Sequence, residues 1–165
     1  MEKNKLFLID AMAMIYRAFY AMNKSPRINS KGLDTSAAFG FFNTLLSLLK
    51  QYKPTHIGIA FDLHGPTFRH KEFADYKSNR QATPDEIRQM EPYIRDIIDA
   101  MHIPILSSEG YEADDVIGTL AKQAAKQGFE VYMVTPDKDY AQLVEENIKI
   151  LKLGRMGSEA EVWGV

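Results

Sequence analysis

Five short apolar runs alternate with longer segments of helical period, and this alternation limits the chain to few folds. "KLFLID" (5–10), "HIGIAFD" (56–62), "IPILSS" (103–108), "EVYMVT" (130–135) and "IKILKL" (148–153) are rich in Ile, Val, Leu and Phe and read as strands. Between them, 35–52, 84–101 and 113–128 read as helices, with a further helical piece from Met12 to Met22. The segment 113–128 puts Ala113, Val116, Ile117, Leu120 and Ala124 on one stripe, with Gly128 as its stop signal. Strands that alternate with helices predict an α/β fold: a mostly parallel central sheet with helices on both faces.

With 165 residues, 45% of them hydrophobic, the chain suits one domain with a sizeable core. No repeat or linker divides it. The absence of cysteine removes disulfides, thiolate nucleophiles and Cys-type zinc sites. No run approaches the roughly 18 apolar residues of a membrane span, so the expectation is a cytoplasmic protein without membrane contact. A net charge of −2 points to no partner class, and a nucleic-acid partner would have to be met by local patches.

The acids are not spread evenly. Asp10 and Asp62 end the first two strands, "SEGYEADD" follows the third with Glu112, Asp114 and Asp115, and "TPDKD" follows the fourth with Asp137 and Asp139. In an open parallel sheet, ligands bind beyond the carboxyl ends of the strands. One acid at such a place is commonly a helix cap, and one or two in a first turn complement the helix dipole. Seven together need another explanation. Two carboxylates about 6 Å apart repel by roughly 3 kcal/mol at an effective dielectric near 20. Several such pairs would strain a domain whose stability is only about 5–15 kcal/mol. Protons or cations must compensate. An all-oxygen set without Cys or His suits Mg²⁺ or Mn²⁺, and so many acids suit two ions, an arrangement typical of phosphodiester hydrolysis.

Other chemistries fail on spelling. Asp10 is followed by Ala11 and Met12, so the Asp-x-Asp of dehalogenase-type phosphatases is missing, and the receiver pattern does not match. There is neither GxxxxGK[ST] nor GxGxxG. Ser107, Ser108 and the four histidines show no nucleophile spacing.

Four blocks in order, "FLIDAMAMIYRAFYA", "IAFD…PTFRHKEFADYKSNR", "GYEADDVIGTLA" and "VTPDKDYAQLV", resemble the flap endonuclease family. Within it they resemble the 5′-nuclease domain at the N-terminus of bacterial DNA polymerase I. The resemblance covers about Lys5 to Val165 and implies a PIN-like fold, two divalent ions and structure-specific hydrolysis of DNA at 5′ ends and flaps. It implies DNA 5′ ends, flaps and RNA primer–DNA junctions as partners of a monomer acting in replication and repair. By position, Asp10, Asp62, Glu112 and Asp114 match ligands of one ion, and Asp115, Asp137 and Asp139 the side of the second. The polar, locally basic stretch 63–83 matches an arch-like DNA-threading segment. In it Tyr76, Lys77 and Arg80 match a phosphate-gripping element, Lys77 and Arg80 in the catalytic role, with Arg69 assisting. Tyr16 and Arg17 match DNA contacts on the helix after the first strand, and for Tyr20 core packing is an equal alternative. The family continues into a helix–hairpin–helix segment and a polymerase part. The chain stops at "EVWGV", so it is expected to be a fragment of low activity. Two rival readings stand beside this one: a stand-alone PIN-type ribonuclease, and a non-catalytic nucleic-acid-binding module.

Overall fold

A computed structural model describes residues 3–22, 24–62, 84–136, 138–154 and 161–165, without the side chains of Lys138 and Asp139. Its strands are β1 (Lys5–Asp10), β2 (His56–Ala60), β3 (Ile105–Leu106), β4 (Glu130–Thr135), β5 (Ile148–Lys152) and β6 (Glu161–Trp163). The helices are α1 (Ala11–Ala21), α2 (Ser36–Tyr52), α3 (Asp85–Ala100) and α4 (Ala113–Lys126), with a 3₁₀ turn at Lys138–Leu143. They form one sheet in the order β3-β2-β1-β4-β5-β6, parallel except for β6, which runs antiparallel to β5.

β1 is the pivot of this order. It pairs with β2 on one side, Leu6 opposite His56, and with β4 on the other, Lys5 opposite Glu130. The crossovers leave in opposite directions from that point, so helices cover both faces and the central strands have no wet side. Phe7, Leu8 and Ile9 are all buried, as is every residue from Val131 to Thr135. The uninterrupted apolar spelling of these strands follows from that double burial.

The two faces are recognisable in the alternation of side chains. Phe7, Ile9, Ile59, Phe61, Tyr132, Val134 and Leu151 point into one core, which α1, α2 and α3 close with Met14, Ile15, Phe41, Leu45, Ile87, Ile94 and Ile98. Leu8, Ala60, Val131, Met133, Ile148 and Ile150 point the other way, against Ala113, Ile117 and Ala121 of α4 and Tyr140 of the 3₁₀ turn. The helix ends follow local chemistry. Asp10 caps α1 from an extended backbone, its carboxylate accepting from the Ala13 amide. Gly128, at φ 93°, takes the left-handed position just past α4.

β3 is shorter than the apolar run 103–108 suggests, because only Ile59–Ile105 and Ala60–Leu106 pair with β2. Gly58 makes that approach possible. A Cβ there would lie 2.5 Å from Leu106 Cδ1, closer than two carbons can pack. The buried stripe of α4 is Ala113, Ile117, Gly118 and Ala121, with Leu120 and Ala124 half-buried, so it is rotated slightly from the stripe expected. No helix among the described residues is long and apolar enough to cross a membrane.

Candidate metal centre

The strand order places the site. The strand order reverses between β1 and β4, and the carboxyl end of β1 opens on that crevice. Asp10 stands there as the last residue of β1 and the cap of α1. Its Oδ1 accepts from the Ala13 amide at 3.3 Å, and its Oδ2 accepts from the Tyr140 hydroxyl at 3.0 Å. Asp62 lies two residues past β2, and its Oδ1 accepts from the Ala113 amide at 2.6 Å. That bond fastens the end of β2 to the first turn of α4.

The α4 turn supplies three more acids. Glu112 caps the helix and Asp115 reaches back to it, its Oδ2 accepting from the Glu112 amide at 3.1 Å in a reciprocal capping box. Glu112 is only 5% exposed, and Glu112 Oε1 and Asp114 Oδ1 are both shielded from solvent. Carboxylate oxygens of Glu112, Asp114 and Asp115 all lie within 4.8 Å of one another. The dipole and ligand readings of "GYEADD" are therefore not exclusive. Glu112 and Asp115 cap the helix, and the same cap gathers their charge against Asp114.

Asp10 registers the crowding. Burial, opposed by its bonds from Ala13 and Tyr140 and reinforced by the charges of Asp62 and Asp114, pushes its carboxyl from 3.8 up to about 6. Asp10, Asp62, Glu112, Asp114 and Asp115 thus converge from β1, β2 and the α4 turn. The donor set fits hard divalent cations: all carboxylate, with no histidine or thiolate, and partly desolvated.

The remaining sequence-derived residues fall into two groups. Arg69, Tyr76, Lys77, Arg80 and Asp137 lie outside the described residues, and Asp139 belongs to the 3₁₀ turn after β4. Tyr16 and Tyr20 stack on α1, ring centroids 6.2 Å apart at 25°, and Tyr20 is 52% exposed rather than in the core. The Arg17 side chain ties elements together: Nε donates to the Gly154 carbonyl at 2.6 Å and Nη1 to Thr44 Oγ1 at 3.2 Å. Burial holds its guanidinium below the ordinary value. Tyr140 was not singled out by the sequence reading. It adjoins Asp139 in "TPDKDY", but its partner is Asp10 at the other end of the chain.

Residues 5–164 match the family model of the 5′-3′ exonuclease N-terminal, resolvase-like domain. The chain belongs to this 5′-3′ exonuclease family. It is 45% identical over 150 residues to DNA polymerase I of Bacillus subtilis (strain 168), covering 90% of this chain. It is 41% identical over 157 residues to DNA polymerase I of Chloroflexus aurantiacus, covering 95%. In both comparisons the match spans 17% of the relative's length. Among solved structures, T5 5′-exonuclease with bound zinc superposes with TM-score 0.70 at 20% identity, covering 96% of this chain and 58% of that one. The catalytic core of Rad2, in complex with a DNA substrate, superposes at 0.56 and 18% identity, covering 98% and 48%. The six-stranded, mostly parallel sheet is thus the PIN-like 5′-nuclease fold.

Proposed function

We propose that this 5′-3′ exonuclease domain hydrolyses DNA phosphodiesters at 5′ ends and flaps with divalent cations held at the carboxyl edge of its sheet. The carrying observation is the convergence of Asp10, Asp62 and the Glu112–Asp114–Asp115 cluster on one crevice. T5 5′-exonuclease, which shares the fold, binds divalent ions, and Rad2 binds a DNA substrate; both facts support the reading. Mg²⁺ or Mn²⁺ is the proposed cofactor, as two ions. Asp10, Asp62, Glu112 and Asp114 would hold one, with Asp115, Asp137 and Asp139 on the side of the other. When bound, such ions supply Lewis acidity that activates water and neutralises charge on the phosphate.

The chain's own residues do the positioning. The amides of Ala13 and Ala113 fix the carboxylates of Asp10 and Asp62, and the capping box fixes Asp115. Held this way, the acids need little rearrangement to receive a cation. Tyr76, Lys77, Arg80 and Arg69 are proposed by resemblance to hold the scissile phosphate and the 5′ strand. The exposed Tyr20 and its partner Tyr16 offer a stacking face for the strand near the cut.

The test is cleavage of a labelled 5′-flap DNA in Mg²⁺ or Mn²⁺, with single-stranded RNA as the competing substrate. Metal-dependent release of the flap is expected, falling by at least about a hundredfold in Asp114→Ala. RNA cleavage with an untouched flap would favour the PIN-type ribonuclease. Flap binding with no cleavage, unchanged in Asp114→Ala, would favour a binding module.

A further inference from the structure

Tyr140 lies outside every role assigned above, yet its hydroxyl touches the carboxylate at the centre of the site. It is 4% exposed, its ring packs in the α4-side core with Leu8, Val131 and Met133, and its hydroxyl lies 3.0 Å from Asp10 Oδ2. A side chain so enclosed is not available to a nucleic acid. It does span the crevice. β1 ends in Asp10, whereas Tyr140 belongs to the turn that follows β4 and contains Asp139.

We propose that Tyr140 is a positioning residue for the cation site, locking the Asp10 carboxylate in its ligand orientation and joining the β1 and β4 sides of the crevice. A carboxylate on a single capping bond can still turn about Cβ–Cγ. With Oδ1 held by the Ala13 amide and Oδ2 by the Tyr140 hydroxyl, both oxygens are fixed and the plane of the group is defined. Partners of this kind orient metal ligands, and losing one typically weakens metal binding about 10- to 100-fold. The 3.0 Å separation is long for a hydroxyl on a carboxylate, so the lower end applies here.

The inference rests on reading Asp10 as a ligand, and its test must separate the two. Mn²⁺ titration calorimetry would compare the 165-residue chain with Tyr140→Phe and Asp10→Ala, and thermal denaturation would be run on the same proteins with and without Mn²⁺. Phenylalanine keeps the buried ring and deletes only the hydroxyl. Tyr140→Phe is expected to bind Mn²⁺ about tenfold more weakly. Its metal-free melting temperature should stay close to that of the parent, while its Mn²⁺-induced rise shrinks. In flap cleavage the Mn²⁺ concentration for half-maximal rate should increase while KM for DNA holds. Weakened Mn²⁺ binding in Asp10→Ala but not in Tyr140→Phe would overturn the role of Tyr140 and leave the site reading intact. Unchanged binding in both would remove the metal assignment of Asp10 as well. A higher KM for DNA at saturating Mn²⁺ would also overturn it, because a residue acting through Asp10 has no contact with the strand.

Discussion

The two faces of the sheet are built differently. On one, three helices press large side chains, Phe7, Phe41, Ile94 and Ile98 among them, into a thick core. On the other, α4 lies on the sheet through Ala113, Ile117, Gly118 and Ala121, small residues apart from Ile117. The thick face supplies most of the buried apolar area and so most of the stability. The thin face lets a helix come close enough to set its first turn, with Glu112, Asp114 and Asp115, beside Asp10 and Asp62. Small residues here are therefore part of the site, although they carry no chemistry themselves.

Substitutions on each face can break this division. The largest effect is expected for Phe41→Ala, which opens a void in the thick core and should cost about 3–5 kcal/mol. Denaturant unfolding would measure it, and calorimetry should find Mn²⁺ affinity nearly unchanged in the protein that remains folded. A loss of affinity as large as the loss of stability would mean that the faces are not separable. Ala121→Leu is the counterpart. Overpacking the thin face should cost about 1–3 kcal/mol and also weaken Mn²⁺ binding, because α4 must move away from β1.

Asp10→Asn sharpens the comparison further, since stability and metal binding should change in opposite directions. The raised pKa of Asp10 means that the folded protein binds a proton more tightly than the unfolded chain. This contribution is complete below about pH 4 and is lost as pH rises through about 6. Metal-free Asp10→Asn is therefore expected to be more stable near pH 7, by about 1–2 kcal/mol. Its stability should change less between pH 4 and 7, and its stabilisation by Mn²⁺ should be largely gone. A less stable metal-free variant would show that the carboxylate is not strained. The smallest effect is expected at Arg88, whose pairing with Asp85 at 3.6 Å is exposed on α3: Arg88→Ala should shift stability by no more than about 0.5 kcal/mol.

The parts of this molecule governed by neighbouring residues were legible in the sequence. β1 and β4 begin and end where their apolar runs do, and Gly128 stops α4 as its spelling implies. Asp10 and the "GYEADD" acids were legible because strand ends in a parallel sheet share an edge. What depends on distant pairing was not legible. β3 keeps only Ile105 and Leu106, the two residues that pair with Ile59 and Ala60 of β2. β6 is three residues that pair antiparallel with β5, with Trp163 packed against the α4-side core. Tyr140 carried no signal in the sequence, because nothing near it reveals Asp10 as its partner. The "GYEADD" acids read as dipole complements or as ligands, and the reciprocal cap between Glu112 and Asp115 was not visible in their spelling.

The register of β1 also orders events during synthesis. β1, which carries Asp10, leaves the ribosome before either of its neighbours, and Leu6 to Ile9 gain one of them once His56–Ala60 are made. The other neighbour is Glu130–Val134, so that edge of an apolar strand stays open until β4 has been made as well. Closing it seats β4 and the turn that holds Tyr140 beside Asp10. Until β4 has been made its side of the crevice is missing, and Tyr140 reaches Asp10 only when β4 docks. The same delay exposes the Leu6–Ile9 edge to other nascent chains, which makes docking of β4 the step at which crowding or slow elongation would do most harm.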